Sequence, residues 1–76
     1  MITNDIDAAI TIILHSRDGA RIKAYYIFGG DTNYILSTKN GKRMLSNQNR
    51  QRTISTKSEL KKMLGKPYKI EIKDGD

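Results

Sequence analysis

The chain has no cysteine, no tryptophan, one proline and one histidine, and each scarcity excludes something. Without cysteine there is neither a disulfide framework nor a thiolate metal site, and His15 alone cannot supply a zinc-ligand cluster. No apolar run approaches the roughly 20 residues of a membrane-spanning helix. Met1-Ile2-Thr3-Asn4-Asp5 lacks the basic start of a secretory signal. The expectation is a cytoplasmic protein with no membrane association, no metal and no cofactor. Its 76 residues allow one domain with one modest core, in a size range that buries only about 60% of the unfolded chain's surface. Residues 1–7 and 74–76 read as loosely ordered ends.

Acidic residues are few, and they are fewest relative to bases in the second half. Residues 1–38 hold three Lys/Arg against four Asp/Glu, a net of −1, whereas residues 39–76 hold eleven against four, a net of +7. The closely spaced acid pairs, Asp5 with Asp7 and Asp74 with Asp76, lie near the ends of the chain, where a carboxylate has little reason to be tuned for acid–base work. His15 has no evident nucleophile and orienting acid beside it. Gly29-Gly30 matches neither the phosphate-binding loop nor the dinucleotide fingerprint and reads as a turn. A non-enzymatic protein is expected. The asymmetry of charge favours a polyanionic partner, because clustered cations displace counterions from phosphates; the same charge also keeps a small domain in solution.

Along the chain, residues 5–14 fit two periods. Ile6, Ala9, Ile10, Ile13 and Leu14 form a helical stripe behind a candidate N-cap, Asn4, while Ala8, Ile10, Ile12 and Leu14 alternate and the β-branched run favours a strand. A short turn or helix through about Ala8 and a strand over Ala9 to Ser16 is the reading adopted. A three-residue loop, Arg17-Asp18-Gly19, would then pair Leu14 with Ile22, Ile12 with Ala24 and Ile10 with Tyr26 in a hairpin. A strand over Arg21 to Phe28 breaks at Gly29-Gly30-Asp31-Thr32-Asn33 and resumes over Tyr34 to Lys39. Asn40-Gly41 is a strong hairpin signal that sets Leu36 opposite Leu45. Asn47 to Arg52 is polar throughout and reads as an exposed loop or strand edge.

Thr56-Lys57-Ser58-Glu59 is a capping box, Leu60, Met63 and Leu64 form an apolar stripe, and Gly65 and Pro67 end the segment, so the pattern predicts a helix over Lys57–Leu64. Tyr68, Ile70 and Ile72 alternate with Lys69, Glu71 and Lys73 as a half-buried strand. The predicted fold is α+β and mostly β, in the order β-β-β-β-α-β. One helix packs on an antiparallel sheet that is either bent and open or closed into a small barrel. Tyr25, Tyr26, Tyr34, Tyr68 and Phe28 read as sheet-packing residues, although an exposed Tyr25 would offer a base a stacking surface.

Leu14-His15-Ser16-Arg17-Asp18-Gly19 leading into Arg21-Ile22-Lys23-Ala24, then Gly30-Asp31 ahead of Asn33-Tyr34-Ile35-Leu36, resembles the first half of the Sm-like small barrels, over about residues 10–46. The resemblance implies a bent five-stranded barrel of a kind that typically assembles into RNA-binding rings, with a few relatives acting as protein inhibitors. Ala24 replaces the family's usual glycine, the spacing from Asp31 to Asn33 is shorter, Gln48 to Ser55 has no counterpart of the second motif, and the helix and strand after Thr56 are extra. No RNA-binding residue is carried over from it.

The residues themselves lead to two functional expectations. The first is a nucleic-acid-binding module, for RNA or DNA, contacting phosphates through Lys39, Lys42, Arg43, Arg50 and Arg52, with Lys57, Lys61 and Lys62 extending the patch. The second is a small inhibitor or adaptor of phage or mobile-element type, for example an anti-defence protein, that docks on an acidic or nucleic-acid-binding host protein. A homo-oligomer formed through an uncovered sheet edge is compatible with either.

Overall fold

A computed structural model describes residues 1–47, 51–54 and 57–74, Arg52 by its backbone alone. The elements are β1 (Ile2–Thr3), α1 (Ile6–His15), β2 (Arg21–Tyr25), β3 (Asp31–Lys39), β4 (Lys42–Ser46), β5 (Gln51–Thr53), α2 (Lys57–Leu64) and β6 (Lys69–Lys73). The strands form one antiparallel sheet in the order β1-β6-β2-β3-β4-β5. Its outermost strands, β1 and β5, are the shortest, and among the described residues no pairing joins them, so the sheet is open and the barrel alternative does not hold. The class is α+β and mostly β, with two helices where the sequence suggested one.

The strand expected over Ala9 to Ser16 is helix α1. Asp5, one residue past the expected cap, starts it: its Oδ1 accepts hydrogen bonds from the backbone N–H of Asp7 (3.0 Å) and Ala8 (3.3 Å). Ala9, Ile10 and Ile13 are buried beneath the helix, and one apolar face laid on a sheet outweighs the modest helix penalty of the β-branched run. The polar residues of that run are absorbed by helical geometry: Thr11 donates to the Asp7 carbonyl and Ser16 to that of Ile12. The Leu14–Ile22 hairpin is therefore absent. Arg17-Asp18-Gly19 joins α1 to β2, with Gly19 at φ +88°.

Ile22 instead lies between Tyr34 on β3 and Ile72 on β6. The β2 strand ends at Tyr25 rather than Phe28, and β3 begins at Asp31 rather than Tyr34. Gly29 and Gly30, both at positive φ, close the intervening turn, where the Tyr26 N–H donates to the Gly30 carbonyl. The start of the chain, expected to be loose, is tied down: Ile2 and Thr3 pair with Glu71 and Ile70, and Met1 exchanges hydrogen bonds with Ile72. Asn40 and Gly41 take positive φ and set Leu36 opposite Leu45, as their turn chemistry predicts. Thr56 of the capping box lies outside the described residues; α2 itself spans Lys57–Leu64.

Both helices contribute to a core shared with one face of the sheet. Ala9, Ile10 and Ile13 of α1 and Leu60 and Leu64 of α2 join Ile22, Ala24, Tyr34, Leu36, Leu45, Ile70 and Ile72 in one buried cluster. Two tyrosines bind the end of α2 to the sheet: the Tyr26 hydroxyl donates to the Leu64 carbonyl and that of Tyr34 to the Met63 carbonyl, satisfying acceptors a helix end leaves open. Burial, and after it the neighbouring Tyr34, pushes the Tyr26 phenol up to about 12. Because this folded value lies above the ordinary 10.0, the associated stability is complete below pH 10 and declines as pH rises toward 12. Tyr26→Phe is expected to cost about 1 kcal/mol at neutral pH and to flatten that alkaline decline, as read by urea unfolding at neutral pH and in the alkaline window.

Candidate nucleic-acid interface

The helices cover one face of the sheet, and strand alternation sends the other residues to the opposite face. There, Arg21, Lys23 and Tyr25 of β2 lie between Lys69, Glu71 and Lys73 of β6 and Asp31, Asn33 and Ile35 of β3. Farther along the β3–β4 hairpin, Lys39 and Lys42 form the last pair before the turn, and both are exposed. Among the described residues, six cations thus share the uncovered face with two carboxylates, Asp31 and Glu71. Both acids are engaged locally: Asp31 lies 3.1 Å from the Lys23 ammonium, and Glu71 accepts from the Tyr25 hydroxyl at 3.2 Å. The hydrogen bond and charge of Asp31 raise the Lys23 ammonium above its usual range, so it is charged at neutral pH.

Arg21 and Lys73 sit directly opposite each other. Both are exposed, and neither has a side-chain hydrogen bond or ion pair among the described residues. Like charges facing each other across a strand pair disfavour the sheet, and the pair supplies no internal compensation. At the other end of the face the Lys69 ammonium stands 4.1 Å from the centre of the Tyr25 ring, and Lys23 stands 5.4 Å from it. The Tyr68 ring, half exposed, lies 6.4 Å from Tyr25 at a tilt of 52°. This end therefore combines aromatic surface with positive charge.

The eight residues singled out from the sequence do not form one patch. Lys39 and Lys42 belong to the uncovered face. Lys57, Lys61 and Lys62 are exposed on α2, on the helical side, where Lys61 bridges to Asp7 of α1 at 2.8 Å. Arg43 also points to the helical side: its Nη2 donates to the Ser16 carbonyl at 2.7 Å and its Nη1 lies 3.7 Å from Asp18. Arg50 and the Arg52 side chain lie outside the described residues. The sequence reading missed Arg21, Lys23, Lys69 and Lys73. Their signal was the outward half of two alternating strands; that those strands are neighbours was not readable locally.

Arg43 fastens the end of α1 to β4, so its role separates from that of the open-face cations. Arg43→Met is expected to lower stability by about 1–2 kcal/mol while leaving affinity for an oligonucleotide within about twofold. Denaturant unfolding and a binding isotherm on the same variant check this.

No family model, curated protein or solved structure matches the chain. Among the described residues no group of three or more His, Asp or Glu side chains is placed to hold a metal ion, and no helix is long and apolar enough to cross a membrane. A groove of about 480 Å³ between β5 and α2 is lined by Glu59 as well as Lys62, with Leu60, Met63 and Ile54 between them. Its mixed charge suits a polyanion less well than the open face does.

Proposed function

We propose that this protein is a non-enzymatic nucleic-acid-binding module whose contact surface is the uncovered sheet face together with the β3–β4 hairpin. The observation that carries the reading is the facing Arg21–Lys73 pair, two exposed cations set opposite each other whose side chains make no hydrogen bond or ion pair among the described residues. A phosphate between them would turn a repulsive contact into an attractive one. Lys23, Lys39, Lys42 and Lys69 extend the same surface along the direction of the strands. Relative to the sequence expectation, Lys39 and Lys42 keep their role, the contribution of Lys57, Lys61 and Lys62 falls away, and four new residues enter.

Binding of this kind is dominated by counterion release, so affinity for a generic oligonucleotide should fall steeply with salt. With four to six phosphate contacts, the logarithm of the binding constant should drop with a slope of about −3 to −5 against the logarithm of salt concentration. Binding that is absent at low salt, or insensitive to it, would remove the proposal.

A second reading has its own support. Ile27 and Phe28 at the β2–β3 turn are 76% and 90% exposed, an apolar tip suited to a pocket on another protein. Under this reading the protein is an inhibitor or adaptor that docks on a nucleic-acid-processing partner. Its mark is a salt-resistant protein complex that is lost in Phe28→Ser.

A further inference from the structure

The open face is not uniformly charged. Beside Arg21 the sheet holds a depression of about 350 Å³, lined by Arg21, Asn33, Tyr34, Ile35, Ser46 and Asn47. Ile35 is 39% exposed although it belongs to a central strand. It lies directly between Arg21 on β2 and Ser46 on β4. The arrangement is an apolar floor with a guanidinium at one side, a hydroxyl at the other and amides along its length. The side chains of Arg21 and Asn33 have no partners among the described residues. A planar, partly apolar group with donors and acceptors on its edge fits such a seat, and the volume falls in the range of small-ligand sites.

An undeformed duplex fits it poorly. From β6 through β2 and β3 to β4 the face is about 14 Å wide between strand axes before side chains are counted, wider than a major groove of about 12 Å. Duplex DNA would touch the rim cations with its phosphates and leave the Ile35 floor empty. A single strand, by contrast, can turn an unpaired base onto an exposed side chain while its phosphates meet nearby cations. Tyr68 lies one residue beyond Lys69, the residue paired with Tyr25, and so about five residues, or about 16 Å, along the strands from Arg21. That separation leaves room for a second base at the aromatic end.

Resting on the nucleic-acid reading above, we infer that the ligand is a single strand, one of whose unpaired bases is seated in the Ile35 depression, where Arg21 and Asn33 meet its edge. The phosphates on either side lie toward Lys73 and Lys23. Ile35 supplies contact area and no charge, so its role separates cleanly from that of the cations.

The test uses the full chain and a labelled mixed-sequence oligonucleotide of about 12 nucleotides, free and hybridised to its complement, at one salt concentration and then across a salt series. The single strand is expected to bind at least tenfold more tightly than the duplex. Ile35→Ser should weaken single-strand binding about five- to tenfold with no change in salt slope, and Asn33→Ala should weaken it less. A cooperative thermal unfolding transition in each variant, shifted downward by a few degrees in Ile35→Ser, establishes that the fold is kept. Equal affinity for the duplex, or an Ile35→Ser protein that binds like wild type, overturns this inference while a steep salt slope preserves the broader reading. Absence of binding to both forms overturns the two together, as does capture of an acidic protein partner through this same face.

Discussion

Ile10→Ala should remove about 2–5 kcal/mol of stability, a large share of the total. A chain of this length has only about 4–11 kcal/mol to lose. Ile10 is completely buried on α1, within a cluster that also takes Leu60 and Leu64 from α2 and the inward residues of four strands. Truncation there leaves a void in the shared core, and a small core has few other contacts to close it. In a strand, Ile10 would alternate with its neighbours, and Ile13 would lie on the opposite face. The helix puts Ile10 and Ile13 on one face. Ile13→Ala should therefore cost a comparable amount, while Thr11→Ala, at an exposed helix position, should change stability by less than about 0.5 kcal/mol. Urea unfolding of the three variants reads the pattern; an Ile13→Ala loss as small as that of Thr11→Ala, beside a large Ile10→Ala loss, would count against α1.

Lys73→Glu is expected to move stability and binding in opposite directions. Opposite Arg21 a glutamate replaces a like-charge contact by a cross-strand ion pair, which is worth about 0.2–1 kcal/mol in favour of the fold. The same change deletes one phosphate contact and adds repulsion, so affinity for a single-stranded oligonucleotide near 0.1 M salt should fall by about tenfold or more. Adding Lys69→Glu should extend the loss to about 50-fold or more, since each phosphate contact removed takes about one unit from the salt slope. A residue whose removal stabilises the fold and weakens binding is kept for the surface it makes. If both quantities fall together, Lys73 is a structural residue and the open face loses its strongest argument. Thermal unfolding and fluorescence anisotropy on one preparation decide between these.

Three local signals in the sequence match elements of the fold. The Asn40-Gly41 turn fixes its own hairpin register, the Gly65 and Pro67 signals bound α2, and strict alternation over Tyr68 to Lys73 yields β6. Residues 6–15 were misassigned because Ile6, Ala9, Ile10 and Ile13 and the alternating Ile10, Ile12 and Leu14 satisfy two periods at once, and only burial against the sheet chooses between them. The insertion of β6 between β1 and β2 had no local mark at all, since it joins residues about fifty positions apart. The candidate surface depends on that insertion. Arg21 and Lys73 look like ordinary solvated strand residues until the register sets them face to face. The basic run around Lys39 to Arg52, conspicuous in the sequence, is instead divided between the two sides of the sheet at Lys42 and Arg43, because neighbouring strand residues point in opposite directions.

On the proposed function, one side of the sheet binds nucleic acid and the helical side does not. The most direct measurement compares the salt dependence of single-stranded oligonucleotide affinity for wild type, for Lys69→Glu/Lys73→Glu and for Lys57→Glu/Lys62→Glu, variants that make the same change in net charge. The account predicts that the first variant loses about two units of salt slope and about 50-fold in affinity, whereas the second retains the wild-type slope to within about half a unit. Equal losses in both variants would mean that net charge alone attracts the ligand, and a larger loss in the helix variant would place the binding surface on the opposite side of the molecule.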